Sequence, residues 1–433
     1  MTTLKAVRGT RDLFPPETAL WNHIEKTARQ VFTRYNFGEI RTPIFEDTAL
    51  FARGVGEETD IVSKEMYTWE DKARAQSEKT LSLTLRPENT AGVVRAYIEH
   101  KLGETGQLQK LYYVGPQFRR ERPQKGRYRQ FSQIGAEVIG PPSAGSESPL
   151  RDAEVLEMLA TLLDELGITG WTLELNSVGS PADRTRYNEV LRAALVPLAP
   201  KMCVDCQRRA VTNPLRVLDC KVPEDQPIIE TLPKIVDSLD EASKTHFAAV
   251  LAALDASSVP YTRNHRLVRG LDYYTRTTFE FTHGGLGAQN ALLGGGRYDG
   301  LSEAIGGPKA PGIGFAMGED RLVLTLQAQL DQKSAPPQVA DALIAPLGES
   351  MNPAALALAR DLRRQGLRIE LGDGSFRLKK SFEIADKAAR RIVILGEDEL
   401  QSGILTVKTF STGMQTKVSR AELAAYLSTT ASE

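Results

Sequence analysis

Cysteine is scarce in this chain, with three in 433 residues. So low and odd a count excludes a disulfide framework and fits a reducing cytoplasm. Long apolar runs are missing as well: none approaches the roughly 18 residues of a bilayer span, so no membrane partner is expected. Neither sign of charge prevails, because 54 Lys+Arg face 55 Asp+Glu. A nucleic-acid partner must therefore be met by local patches rather than by a basic whole. The first twelve residues have no apolar stretch before their charges, which argues against secretion. Gly-x-x-x-x-Gly-Lys-Ser/Thr and Gly-x-Gly-x-x-Gly are also absent, which removes P-loop and Rossmann sites. What is present, 41% hydrophobic and 25% charged residues, is the composition of a globular protein of about three domains.

Leu20, Ile24, Ala28, Val31 and Phe32 have the spacing of an amphipathic helix. Glu39 to Phe45 reads as a strand whose Pro43 lacks a donor, which puts it at an edge or against another subunit. Strand-like runs follow at Leu81–Leu85, Gln109–Arg119 and Arg129–Gly140, with one helix at Glu88–His100. That order predicts a mixed or antiparallel sheet, an α+β fold. Ser148 is placed to cap a helix ending before Gly167. The expected organisation is a catalytic domain over 1–179 and 261–331, a helical insertion over 180–260, and, beyond the Pro336-Pro337 linker, a small α/β domain over 338–433.

The densest chemical signal is Arg119 to Arg129, with six Lys/Arg against one Glu in eleven residues. Alternation along the flanking strands puts Gln133 and Glu137 on one face, and Gln117 and Arg119 likewise. Polar groups in mid-sheet need partners or a ligand. In Leu85-Arg86-Pro87-Glu88-Asn89-Thr90 a carboxylate and a hydroxyl stand at the mouth of a helix, where ordinary helix-start chemistry is sufficient explanation. Arg321 lies in the first turn of another helix, opposed to its dipole, and so wants an anion. The glycines at 294–296 let a backbone approach a ligand closely or make a bulge or loop.

These segments resemble the histidyl-tRNA synthetases, class II aminoacyl-tRNA synthetases of bacterial type. The stretch around Thr42-Pro43 resembles motif 1, Phe118–Gln133 motif 2 and Gly312–Leu322 motif 3. The histidine signatures are Leu267-Val268-Arg269-Gly270-Leu271-Asp272-Tyr273-Tyr274 and Gly295-Gly296-Arg297-Tyr298-Asp299-Gly300-Leu301. Departures are few: Asn89 where Gly is commoner, Pro141–Pro149, and Gly372–Arg377.

The resemblance implies a class II catalytic domain, a cytoplasmic homodimer, and ATP with Mg²⁺ used to activate L-histidine for transfer to tRNA(His). It implies that Glu88, Thr90 and Gln133 hold the histidine ammonium, and that Glu137 and Tyr274, with Tyr273 beside them, address the imidazole. Arg119 and Arg269 would serve as the catalytic cations at the α-phosphate and carboxylate, Arg269 standing where other class II enzymes place a metal. Glu121 would meet adenine, and Arg127 and Arg321 the outer phosphates. Arg122, Gln124 and Lys125 would meet the tRNA acceptor end. The last domain would bind the anticodon; residues 360–420 hold 13 Lys/Arg against 8 Asp/Glu.

A regulatory paralogue serving ATP phosphoribosyltransferase is a rival, but it lacks the last domain and has eroded signatures. A non-catalytic tRNA-binding module is another, and the intact Arg119, Arg269 and Arg321 set speaks against it. Cys203, Cys206 and Cys220 supply three thiols without an obvious fourth ligand, His246 being the nearest downstream. Buried, reduced thiols are therefore expected there, and no metal.

Overall fold

The computed structural model describes residues 3–56, 59–71, 80–123, 126–286, 290–329 and 340–429. The chain divides into two compact units, Met1–Lys333 and Ser334–Glu433. The expected linker at 331–337 lies outside the described residues.

In chain order the strands of the first unit are β1 (Gly38–Glu39), β2 (Phe45–Asp47), β3 (Tyr67–Asp71), β4 (Leu81–Leu85), β5 (Gln109–Phe118), β6 (Gln130–Ile139), β7 (Trp171–Ser177), β8 (Thr262–Arg263), β9 (Thr275–His283), β10 (Ala291–Arg297) and β11 (Gly312–Gly318). Eight of them form one sheet in the order β1-β5-β6-β11-β10-β9-β7-β8. It is antiparallel except at its two ends, where β1 and β8 pair in parallel. The remaining three make a small sheet, β2-β4-β3.

Alternation gives the large sheet one apolar face and one polar face. The apolar face, including Ile134, Ala136, Phe279, Phe281, Ile313 and Phe315, packs against the helices Glu17–Arg34, Pro149–Glu165 and Glu241–Ala256. Trp21, Ile24, Ala28, Val31 and Phe32 supply the first helix's buried stripe. Each fully buried side chain of this size contributes about 1.5–3 kcal/mol by leaving water. Ser148 does cap the second helix: its hydroxyl accepts from the Leu150 N–H at 3.3 Å.

Two sequence expectations change, and a choice left open is decided. Pro43 is not in a strand: residues 40–44 lie between β1 and β2 outside any ladder, tied at their ends where the Ile40 N–H donates to the Tyr112 carbonyl at 2.8 Å and the Ile44 carbonyl accepts from the Arg86 N–H at 2.9 Å; a residue with no N–H interrupts the ladder. Of the alternatives open for the glycines at 294–296, the structure shows close approach within a strand: they form the middle of β10, with register shifts at 291/293 and 296/297, and the Arg269 and Tyr274 side chains lie over Gly294 and Gly296. Within 180–260, the insertion's own core runs from Val178 to Ile235. The helix Glu241–Ala256 instead turns Phe247, Val250, Leu251 and Leu254 into the main core.

The second unit holds β12 (Ala342–Pro346), β13 (Ile369–Leu371), β14 (Arg391–Leu395), β15 (Ile404–Thr409) and β16 (Gln415–Ser419), ordered β13-β12-β14-β15-β16. The short apolar strands expected there are present; β16, more polar, was not anticipated. Helices Asn352–Arg364 and Leu378–Ala388 connect the parallel strands.

Candidate active site

The polar face of the large sheet is the site, and strand register explains its layout. Across the strands, Tyr113, Gly135, Ala316, Gly294 and Glu280 form one row. Leu111, Glu137, Gly314, Gly296 and Thr278 form the next. Opposed residues share a face, so large polar groups alternate with glycines that leave room for them. A Cβ at Gly294 would stand 2.5 Å from the Arg269 guanidinium, and one at Gly314 would collide with the Glu137 carboxylate. The glycine runs of β10 and β11 are the floor on which these two side chains lie.

At one end of this floor the groups are buried and tightly bonded. Glu88 caps the helix Thr90–Glu99, accepting from the Thr90 N–H at 2.8 Å and the Ala91 N–H at 3.0 Å. The Thr90 hydroxyl donates to Glu137 at 2.7 Å, and the Tyr298 hydroxyl donates to the other Glu137 oxygen at 2.6 Å. Tyr273 packs against Tyr274 at 4.7 Å between ring centroids and against Tyr298 at 5.9 Å. Burial pushes the Glu137 carboxyl up to about 8, against the pull of the Tyr298 and Thr90 hydroxyls and with a further push from Glu88. Burial raises Glu88 too, opposed by the backbone N–H groups it accepts from.

At the other end a cavity of about 430 Å³ is lined by Arg119, Glu121, Arg127, Phe131, Gln133, Arg269, Glu280 and Arg321, among others. Arg119 donates to the Pro87 carbonyl at 2.9 Å and lies over the Phe131 ring at 5.2 Å. Arg127 donates to Glu121 at 3.0 Å, while Glu280 pairs with Arg269. Arg321 donates to the Ala291 carbonyl; burial and the like charge of Arg127 lower its proton affinity. Such a group favours an anion. The buried Gln133 Oε1 has no hydrogen-bond partner among the described residues, so an acceptor stands ready at the wall between the two ends.

Of the residues singled out in the sequence, Arg119, Glu121, Arg127, Gln133, Arg269 and Arg321 line the cavity, and Glu88, Thr90, Glu137, Tyr273 and Tyr274 form the buried end. Arg122 is exposed and outside the lining. Gln124 and Lys125 lie outside the described residues. His246 is no neighbour of the thiols: its ring is 3.6 Å from Asp152, beneath the sheet.

Sequence reasoning left Tyr298 and Glu280 without roles. A charged residue between Phe279 and Phe281 in an apolar strand was the readable sign of Glu280. Arg297, fully buried, turns away from the cavity and clamps β10 to the helix Pro149–Glu165 through Asp152, which also accepts from Thr277 at 2.6 Å.

Comparison with known proteins places this geometry. The family model for histidyl-tRNA synthetase matches residues 9–322, and that for an anticodon binding domain matches residues 341–430. A histidine–tRNA ligase of Koribacter versatilis (strain Ellin345) is 73% identical over 425 residues, 98% of this chain and 96% of that protein. One from Solibacter usitatus (strain Ellin6076) is 56% identical over 426 residues, 98% of this chain and 99% of its own length. The crystal structure of apo S. aureus histidyl-tRNA synthetase superposes with a TM-score of 0.78 at 38% identity, covering 98% of this chain and all (100%) of that one.

Proposed function

The chain belongs to the histidyl-tRNA synthetase family and is a histidine–tRNA ligase, and from that premise we propose how its own side chains do the work. The observation that carries the assignment is the convergence of four separate segments, 86–90, 117–137, 269–298 and 312–321, on one floor with a buried end and a cationic end.

Histidine lies at the buried end. Glu88, Thr90 and Gln133 surround its ammonium with acceptors, and the unpartnered Gln133 oxygen supports that placement. Glu137 and Tyr274 meet the two imidazole nitrogens, so an apolar isostere would leave both groups unpaired. ATP occupies the cavity, with Glu121 toward adenine and Arg127 and Arg321 toward the outer phosphates. Arg119 and Arg269 stand between the ends, where the histidine carboxylate oxygen attacks the α-phosphorus and the bond to pyrophosphate breaks. Fixed cations there offset anion repulsion and stabilise developing charge. In the second step the tRNA 3′-terminal hydroxyl attacks the carbonyl carbon of the adenylate and AMP leaves.

Mg²⁺ fits as a companion of the polyphosphate: it takes one or two carboxylates besides phosphate oxygens, and Glu280 lines the cavity beside the arginines. When bound it would neutralise charge on the departing pyrophosphate. Arg122, exposed beside the cavity, with Gln124 and Lys125, meets the tRNA acceptor end. The second unit, with its basic surplus, binds the anticodon stem-loop. No helix among the described residues is long and apolar enough to cross a membrane, in keeping with a cytoplasmic ligase.

The homodimer proposal now rests on the small sheet rather than on a Pro43 strand. Phe45 and Trp69 meet edge to face at 6.1 Å and are 52% and 40% exposed, and Leu81 is 49% exposed. Such a cluster is a candidate isologous contact. Sedimentation should give a dimer at micromolar protein, and an active monomer would refute it.

A chain ending near Asp331 tests the division of labour. It should retain histidine-dependent ATP–pyrophosphate exchange within about tenfold, while charging of tRNA falls much further through a higher tRNA KM. Equal charging by a folded truncated chain would remove the anticodon assignment.

A further inference from the structure

We propose that the helical insertion carries a structural metal site for one zinc ion, held by Cys203, Cys206, Cys220 and Asp225. The ligand atoms of these four residues all lie within 4.8 Å of one another. Sequence spacing could not reveal the set, because the fourth member is a carboxylate five residues past the last cysteine rather than a histidine.

Two edges of the cluster are close to those of a tetrahedron, and all lie within 4.8 Å. Zinc–sulfur bonds of about 2.3 Å put neighbouring sulfurs about 3.8 Å apart. The Cys203 and Cys220 sulfurs are 3.9 Å apart, and the Cys220 sulfur is 3.2 Å from an Asp225 oxygen. Movements within about 1 Å close the remaining edges onto one centre.

The surroundings are built for thiolates. The Cys206 N–H points at the Cys203 sulfur and the Val222 N–H at the Cys220 sulfur, each at 3.4 Å. Backbone donors of this kind hold and tune metal-bound sulfur. Asp225, 1% exposed, is oriented by the Cys203 N–H at 3.0 Å. A buried carboxylate is costly without a cation or a full set of donors. Binding would displace the thiol protons, and the metal–thiolate bonds replace them.

The insertion has reason to need such a clip. Its core, Val178 to Ile235, is small and contains no strand between Pro181 and Ile235, and cores of this size commonly depend on a metal or a cross-link. The clip also bears on the cavity, since Asp219 and Lys221, on either side of Cys220, line it. The metal would thus fix one wall of the nucleotide end without touching substrate.

Full-length protein purified under reducing conditions without chelator should contain about one zinc per chain by elemental mass spectrometry. Stripped protein titrated with Co²⁺ should develop thiolate-to-cobalt charge transfer and tetrahedral d–d absorption. Asp225→Asn keeps an acceptor for the Cys203 N–H, so the fold should persist while Co²⁺ and Zn²⁺ affinity falls at least about tenfold. Cys220→Ser should lose the bands or fail to fold, and Asp225→Asn decides the matter in that case. Less than a tenth of an equivalent of zinc together with no tetrahedral thiolate absorption would overturn the proposal. So would a Cys203–Cys220 disulfide in the reduced preparation, or unchanged metal affinity in Asp225→Asn.

Discussion

The two ends of the floor use opposite electrostatics on the same sheet. Around Glu137 every donor is neutral, Thr90 and Tyr298, and burial keeps the carboxyl protonated well above its ordinary range. Around Arg127 and Arg321 cations face cations across an open cavity, offset in part by Glu280 and Glu121. The first arrangement discriminates, because a desolvated group left unpaired costs about 1–3 kcal/mol. The second binds polyphosphate and stabilises charge that appears only during reaction. Arg269, paired with Glu280 and lying over Gly294, stands where the two regimes meet.

The largest effect should come from that junction. Arg269→His should lower kcat for pyrophosphate exchange by roughly 10²–10³-fold while histidine still binds, since a fixed cation at the reacting phosphorus acts mainly in the transition state. Normal exchange in this variant would merge the two ends into a single binding surface.

A smaller effect sharpens the contrast. The unfolded chain releases the Glu137 proton near 4.5, whereas the folded chain holds it to about 8. Between these values the folded state binds more protons, so stability falls as pH rises from about 5 to 8. Glu137→Gln cannot titrate and should flatten that part of the pH dependence of Tm. An identical slope in the variant would place the titration elsewhere, Glu319, also raised to about 8 by burial, being the other candidate.

The floor was legible where chemistry shows in residue type. Alternation alone put Gln133 and Glu137 on one face, and six Lys/Arg in eleven residues marked the cationic loop. The expectation of an α+β fold with an antiparallel sheet holds. What was illegible depends on long-range packing. For glycines 294–296 close approach, bulge and loop stayed open, because nothing local shows that Arg269 and Tyr274 lie over Gly294 and Gly296. Tyr298 could not be linked to Glu137, 161 residues away, and Asp225 became a candidate ligand only once folded beside Cys220. The Pro43 strand failed for a local reason, since a missing donor that was read as an edge signal ended the ladder instead.

The most direct test is a reciprocal KM measurement in histidine-dependent ATP–pyrophosphate exchange with Glu137→Gln and Arg127→Ala. Glu137→Gln should raise the histidine KM by roughly 5- to 150-fold, the equivalent of about 1–3 kcal/mol, and leave the ATP KM within about twofold. Arg127→Ala should raise the ATP KM and spare that of histidine. Equal movement of both constants in either variant would contradict a site divided into a discriminating end and a cationic one.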